Sequence, residues 1–441
     1  MTENEKQPLL NNNENCKIDI HNYDSIPYSV VSSISDLGDV NVINSDEIED
    51  GCSPFQACFN TINLLAGIGV MTIPYCFKIG GVIPSVVFLL VMGYLSKYTA
   101  SLIGKCIKKD NSLNSYSIMG LKLFGTAGCS AISIFFIFEL VCSMMANLLL
   151  VRDTINLLYP QIPQYVCLLI GFGCSVSLTY IKKLVTLSWV SLIGLLATFS
   201  LFIVLIFNGL SNPMGPGSLF DIQQINLWPK DFLGLFTVLG IFEMGFSGHS
   251  VFPSIYLSLT KKKKYDGVLS FSYCWITLLY LLFGLTGALM YGENTLPQIM
   301  QNLHSTLNSK TEFIGNLVSW IIIIVPITKF ALLMDPVAFS VTQFISSKCP
   351  KINSESDTFF VSLRTIIASF VLLGAVVIPK FHTILGVMGS ALCTVTALIF
   401  PILCYLKINK EANRPLHYLL LVFCLCICIF GTMGAINSLH E

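Results

Sequence analysis

The sequence predicts an all-α polytopic membrane protein with eleven transmembrane helices. Hydrophobic residues make up 54% of the 441 positions, charged residues make up only 11%, and the mean hydropathy is +0.73. Soluble globular chains do not reach this composition, because they could not bury so much apolar surface. The apolar residues fall in runs of about 20, the length that crosses a hydrocarbon core about 30 Å thick. The runs do not alternate apolar and polar residues as barrel strands do, so each is expected to be a helix.

Residues 1–53 are predicted to form a disordered cytosolic tail. The segment is polar and rich in asparagine, with scattered acids and no helical periodicity, so it has too little apolar surface to fold. It lacks the basic start and apolar core of a signal peptide, and the first span is therefore expected to act as the insertion signal. Within it, the hexapeptide 5–10 fits the acidic dileucine pattern through Glu5, Leu9 and Leu10. The corresponding expectation is a sorting adaptor as partner and delivery to endosomes, lysosomes or vacuoles.

Residues 54–441 are predicted to form one transmembrane domain. The expected spans lie near 55–77, 82–104, 127–151, 164–181, 184–208, 232–259, 267–290, 313–341, 358–379, 383–406 and 415–437. An odd number of spans places the two termini on opposite sides of the membrane, with the N-terminus cytosolic and the C-terminus lumenal.

The basic residues between the spans support this orientation. Fifteen Lys and Arg residues lie in the loops on the side of the tail, against five on the other side, and the bias alternates correctly at every loop. This is the excess that cytosolic loops usually carry. The lysine run 261–264 lies between two spans, so it is interpreted as a topology anchor and not as a nucleic-acid patch. The formal net charge of zero by itself argues neither for nor against a nucleic-acid partner.

The first and sixth predicted spans are interrupted by glycines followed by proline, in the stretches 59–74 and 243–253. They are the first spans of two five-span halves, and paired interruptions at matching positions indicate a binding site between inverted repeats. Unwound backbone at membrane depth frees amides and carbonyls that a zwitterionic amino acid can occupy. Close helix packing or a simple kink is the alternative explanation. The predicted substrate-binding residues are Asn63, Gly67, Ile68, Gly69 and Val70 in the first span, and Gly245, Phe246, Ser247 and Gly248 in the sixth.

Four stretches resemble the amino-acid/auxin permease family, and within it the vacuolar amino-acid transporter branch that neighbours the vesicular inhibitory amino-acid transporters. They run from the first to the tenth predicted span and are Asn60 to Pro74 with Gly80-Gly81, Phe246 to Pro253, Pro326 to Leu332, and Gly389 to Lys407. The stretch Ser247-Gly248-His249 with the following Val251-Phe252-Pro253 is the most specific. The resemblance implies eleven spans, a LeuT-like inverted-repeat core and transport of neutral amino acids, usually coupled to protons, by symport or antiport.

The resemblance also bears on the coupling ion. Sodium-using relatives place an asparagine in the first span, which Asn63 matches, and a hydroxyl residue where this chain has Ile324. That departure, together with a fixed positive charge at Lys329 beside Thr328, favours protons over sodium. Ionisable residues within spans are costly and are functional candidates by default. Glu139 matches a third-span glutamate of plant vacuolar relatives, Glu243 departs from the family pattern, and His249 belongs to its most specific stretch. The predicted coupling or gating residues are Glu139, Glu243, His249, Thr328 and Lys329.

Other functional classes are less well supported by the residues. No zinc-protease, phosphate-loop or nucleophile-elbow motif stands in a plausible context, so an enzyme is not predicted. No cofactor or metal is predicted, since Cys424, Cys426 and Cys428 lie in one apolar run and soft-metal sites usually draw ligands from several segments. A channel would need a continuous polar pore. An amino-acid sensor signalling through the tail, and a sodium-coupled plasma-membrane symporter, are the alternatives that stay open.

Overall fold

The computed structural model describes residues 52–180, 188–308, 311–348, 356–409 and 414–438. The sorting hexapeptide with Glu5, Leu9 and Leu10 lies outside this part of the chain. Within it, regular structure is helical, apart from an isolated bridge between Cys52 and Leu259. The helices in chain order are α1 Pro54–Leu65, α2 Ile73–Gly80, α3 Val82–Lys109, α4 Tyr116–Leu158, α5 Gln164–Thr179, α6 Ser188–Ser211, α7 Phe232–Phe246, α8 Phe252–Ser258, α9 Tyr265–Tyr291, α10 Ile299–Ser305, α11 Glu312–Lys348, α12 Asp357–Val377, α13 Phe381–Ile408 and α14 Arg414–Asn437.

The described residues contain eight helices long and apolar enough to cross a membrane, with α7 and α8 taken together as one of them. The bent pair α1 and α2 adds a ninth. Helix α5 and the stretch Thr198–Ser211 of α6 are shorter apolar helices. They lie where the fourth and fifth spans are predicted, so the full number of eleven spans stays a prediction. The all-helical membrane fold itself is confirmed.

Local sequence explains where the first span begins and why it breaks. Ser53 caps α1 in a capping box, accepting from the Gln56 amide at 3.3 Å while its own amide donates to the Gln56 side chain at 2.9 Å. Helix α1 ends at Leu65, and a short 3₁₀ turn, Ile68–Thr72, leads into α2 at an angle of 52°. Pro74 occupies the first turn of α2, where its missing amide hydrogen costs nothing. The interruption therefore falls at the predicted glycines and proline.

The sixth span breaks by the same means. Helix α7 ends at Phe246, and α8 begins at Phe252 with Pro253 in its first turn. Between them, Gly248 has φ of 147°, a backbone conformation that residues with a side chain rarely adopt. Here too the position of the break follows the predicted glycine and proline signals.

Helix α7 lies at the centre of the bundle and packs against α2, α3, α13 and α14. Glycines permit this packing: a Cβ atom on Gly389 of α13 would overlap the carbonyl oxygen of Gly240 in α7. A Cβ on Gly240 would in turn lie 2.9 Å from Ser390. Helix α9 packs against α1, α2 and α3, so it faces the interrupted first span along its length. The 3₁₀ turn of the first break contacts α7 and α10, and the turn of the second break contacts α13.

Backbone hydrogen bonds join the two interrupted spans at one end of the bundle. The amide of Cys52 donates to the carbonyl of Ser258 at 2.6 Å, and the amide of Thr260 donates to the carbonyl of Cys52 at 3.1 Å. The start of α1 is therefore tied to the end of α8. By the orientation predicted from the lysine distribution, this is the cytosolic end.

Candidate substrate and coupling site

The interruptions of the first and sixth spans touch each other inside the bundle. A Cβ atom on Gly69 would lie 2.7 Å from the sulfur of Met244 and 3.7 Å from Cα of Gly245. On the other side of the contact, a Cβ on Gly248 would lie 2.9 Å from the Leu64 side chain. Glycine at positions 69 and 248 therefore permits a backbone approach that larger residues would prevent. The two predicted substrate-binding segments lie side by side.

At the first break, fewer amides are free than the sequence predicts. The amide of Gly67 already donates to the carbonyl of Leu65 at 2.6 Å, and that of Val70 donates to the carbonyl of Gly67 at 3.4 Å. The amide of Gly69 lies in the first residues of the 3₁₀ turn and has no backbone acceptor in the described part of the chain. This amide is available to a carboxylate, whereas those of Gly67 and Val70 are not.

Asn63 lies one turn before this break. Its side chain is partly exposed, and it forms no hydrogen bond with the described residues. It is therefore a polar group near the break with unused donor and acceptor capacity.

At the second break, two tyrosines of α9 donate hydrogen bonds to backbone carbonyls of residues predicted to bind the substrate. The hydroxyl of Tyr280 lies 2.7 Å from the carbonyl oxygen of Leu65 and 3.0 Å from that of Gly245, while Tyr273 donates to the carbonyl of Phe246 at 3.2 Å. The carbonyls of Gly245 and Phe246 therefore already accept hydrogen bonds from within the protein. Each carbonyl oxygen has two lone pairs, so a second donor can still bind there. Tyr273 and Tyr280 were not among the predicted residues, although their spacing of seven places them on one face of a helix.

Glu139 connects three helices at this site. Its Oε1 accepts from the Ser247 hydroxyl at 3.2 Å and from the Cys393 thiol at 3.6 Å, and its Oε2 accepts from the Thr396 hydroxyl at 2.9 Å. Glu139 belongs to α4, Ser247 follows the end of α7, and the other two belong to α13. Glu139 as a whole residue is partly exposed. A change in its charge would act directly on the break and on α13.

Glu243 and His249 lie on either side of the second break, and both contact α3. The Oε2 of Glu243 accepts from the Ser96 hydroxyl at 2.9 Å, while its Oε1 is buried without a partner. The Nε2 of His249 lies 2.9 Å from the carbonyl oxygen of Ser96 and 2.9 Å from the Thr99 hydroxyl, and its Nδ1 is buried without a partner. Both side chains are almost fully buried, with 0% exposure for Glu243 and 1% for His249.

The predicted residues of α11 are not joined to this cluster. The Thr328 hydroxyl donates to carbonyls of its own helix, at 3.1 Å to Ile324 and 2.8 Å to Val325. The partly accessible Lys329 forms no ion pair or hydrogen bond with the described residues. Ile324 is 52% exposed, so its side chain would contribute little to enclosing a cation.

Polar features elsewhere were missing from the sequence prediction. Arg364 of α12 pairs with Asp335 of α11 at 2.5 Å and donates to the carbonyl of Thr179 at 2.9 Å. A cavity of about 550 Å³ lies apart from the breaks, between the end of α4, the loop after α10 and the start of α11. The described residues contain no group of three or more His, Cys, Asp or Glu arranged to hold a metal ion.

Solved structures of two transporters share the fold of this chain. The chain superposes on a Na⁺-coupled sialic acid symporter with a TM-score of 0.52 and 12% identity, covering 86% of this chain and 89% of the symporter. It superposes on the inward-facing conformation of Mhp1 with a TM-score of 0.54 and 10% identity, covering 91% and 93% of the two chains. At this identity the likeness concerns the fold alone.

The sequence identifies the family. Residues 50–439 match the family described as transmembrane amino acid transporter protein, and the chain belongs to it. Similar proteins of Arabidopsis thaliana include amino acid transporter AVT1E, 28% identical over 93% of this chain and 78% of the relative, and AVT1D, 30% identical over 87% and 68%. The resemblance inferred from the motifs is therefore confirmed. The chain is a member of a transporter family and not an enzyme.

Proposed function

We propose that this chain is a secondary active transporter that moves neutral amino acids by alternating access and is driven by a proton gradient. The observation that carries the proposal is the contact of the two interrupted spans, with Gly69 against Met244 and Gly245. Interrupted helices that meet within the bundle form the binding sites of transporters built from inverted repeats. We further propose a cytosolic tail, residues 1–53, followed by a transport domain, residues 54–441, with eleven spans and a LeuT-like core of two five-span halves.

The free backbone groups at the contact suit a zwitterion. The amide of Gly69 stands at the start of a helical turn, where a carboxylate is favoured both by hydrogen bonds and by the helix dipole. The carbonyls of Gly245 and Phe246 each keep one lone pair for an ammonium group, and Asn63 can contact either end. Because backbone groups serve both charges of the zwitterion, a substrate with an uncharged side chain needs no further ion pair.

Three ionisable side chains support proton coupling. Glu139, Glu243 and His249 all contact residues beside the break in the sixth span, and none of them forms an ion pair with a cation in the described part of the chain. A charge without a partner is costly at this depth, so gain or loss of a proton changes the stability of the surrounding packing. Lys329 is proposed to stand in for a coupling cation, and Thr328 to support it.

We propose that the protein resides in a vacuolar, lysosomal or endosomal membrane, with its N-terminus in the cytosol and its C-terminus in the lumen. The distribution of basic residues supports the orientation, and the hexapeptide around Leu9 and Leu10 supports the compartment. The plasma membrane is the alternative location.

Uptake by proteoliposomes tests the proposal. Purified protein is reconstituted, a pH gradient is imposed with and without sodium, and accumulation of labelled neutral amino acids is measured. Proton-driven accumulation that is independent of sodium is the expected result. Accumulation driven by sodium alone would overturn the proton coupling. Ligand binding without any flux would overturn transport itself and favour an amino-acid sensor.

A further inference from the structure

We infer that Ser96 is a positioning residue for proton coupling, which holds Glu243 and His249 as one unit across the break in the sixth span. The inference rests on the proposed function and deepens it. Ser96 uses two different groups: its hydroxyl donates to Glu243 before the break, and its carbonyl accepts from His249 after the break. One residue of α3 therefore contacts both ends of the interrupted segment. Ser96 itself is fully buried.

The hydrogen bonds fix where protons can reside. A carbonyl oxygen only accepts, so Nε2 of His249 carries the hydrogen, and the unpartnered Nδ1 has a free lone pair. On Glu243, Oε2 is occupied by the Ser96 hydroxyl, and the unpartnered Oε1 is the oxygen free to bind a proton. The pair thus offers two proton-binding atoms, one on each side of the break. When the proton leaves Oε1 for water, the Ser96 hydroxyl remains as donor to the resulting carboxylate.

Among the residues that the structure describes, no cation forms an ion pair with Glu243. The titratable groups that act on it from neighbouring elements are Glu139 of α4, Tyr273 of α9, Cys393 of α13, and Cys424 and Cys428 of α14. Another carboxyl disfavours a second negative charge, and the neutral tyrosine and thiols cannot balance one.

His249 has few polar neighbours besides Ser96. Its ring lies edge-on to Phe252 at 5.2 Å, and Thr99 is its other hydrogen-bond neighbour. For Glu243, the hydroxyl of Ser96 is the one hydrogen-bond donor in the described part of the chain.

The test compares pH-gradient-driven accumulation with substrate exchange at equal pH in proteoliposomes of full-length protein. Exchange requires binding and alternating access but no net proton movement. For Ser96→Ala, the ratio of accumulation to exchange is expected to fall about tenfold, and the pH of half-maximal accumulation is expected to rise by about one unit. Both follow from loss of a hydrogen bond to a charged group. Ser96→Thr keeps the hydroxyl and is expected to restore the profile.

Ser85→Ala is the matched control, because Ser85 is a fully buried serine of the same helix whose hydroxyl donates only to the carbonyl of Cys76, at 3.1 Å. It is expected to keep the wild-type ratio and pH profile. The inference is overturned if Ser96→Ala has the wild-type ratio of accumulation to exchange and the wild-type pH profile. It is also overturned if Ser85→Ala changes the ratio and the profile as much as Ser96→Ala does.

Ser96→Cys provides a second variant with a weaker donor, in case Ser96→Ala does not fold. It is expected to move the profile in the same direction by less, and an unchanged profile would contradict the inference. Failure of the proposed proton coupling gives a different result. In that case the wild-type protein itself exchanges substrate but accumulates none in a pH gradient.

Discussion

Tyr280 donates its hydroxyl to the carbonyl oxygen of Leu65 at 2.7 Å, at the residue where the first half of the first span ends. The same hydroxyl lies 3.0 Å from the carbonyl of Gly245 in the sixth span. Helix ends leave carbonyls without intrahelical donors, and such groups are costly inside a bundle. One side chain of α9 thus serves both interrupted spans.

Replacement of Tyr280 by phenylalanine is expected to destabilise the protein and weaken substrate exchange. The ring would stay in place, but the hydroxyl hydrogen shared by the Leu65 and Gly245 carbonyls would be lost. The Gly67 amide still donates to the Leu65 carbonyl, so the Gly245 carbonyl is the one that loses its donor, at a cost of about 1–3 kcal/mol. The thermal midpoint of the purified protein and the KM for exchange in proteoliposomes measure the two effects. Tyr273→Phe is the comparison, because it removes one weaker bond, and it is expected to have the smaller effect. Equal or absent effects of the two variants would contradict the assigned role of Tyr280.

Replacement of Glu139 by glutamine is expected to leave folding and sorting intact but to abolish uptake driven by a pH gradient. Glutamine keeps the size of the side chain and one acceptor oxygen, which can accept from either the Ser247 or the Thr396 hydroxyl, but it cannot gain or lose a proton at neutral pH. Uptake measured across a series of external pH values checks this. Thr396→Val removes one donor to the carboxyl and leaves it titratable, so pH-driven uptake should persist. Unchanged uptake by Glu139→Gln at every pH would remove Glu139 from the coupling mechanism.

Replacement of Gly389 by alanine is expected to lower the thermal midpoint strongly, since the added methyl group would overlap the Gly240 carbonyl and push α13 away from α7. Overpacking of this kind costs about 1–3 kcal/mol or more. Gly173→Ala in α5 is the matched control, because a Cβ there meets nothing within 4 Å. The midpoint of that variant should equal or exceed wild type. A midpoint for Gly389→Ala within error of wild type would show that the helices can separate at little cost.

The double substitution Leu9→Ala and Leu10→Ala is expected to redirect the protein from the internal membrane to the plasma membrane. Adaptor recognition of an acidic dileucine segment depends on both leucines. Fluorescence microscopy of a C-terminally tagged chain measures the location, with Gln7→Ala as a control inside the same hexapeptide. A location that does not change would discard the motif as the sorting signal.

Much of the fold could be predicted from local sequence. Both interruptions occur where glycine and proline weaken helix geometry, and the described membrane helices lie where the apolar runs predict them. The site was only partly predictable. Local sequence marks a broken helix but does not reveal which freed groups find new partners, so the donors at the Gly245 and Phe246 carbonyls were missed.

The sequence by itself determined the class of protein, the places of the breaks and the family, because hydropathy, glycine and proline act through neighbouring residues. The tertiary structure decided which polar groups meet. Ser96 contacts Glu243 from 147 positions away, and Tyr280 contacts Leu65 from 215 positions away. Lipid tails are as apolar as a helix interface, so the apolar pattern of a span does not reveal its inward face. In α9, for example, Tyr273 is 2% exposed and Trp275 is 46% exposed, and only the packed bundle distinguishes them.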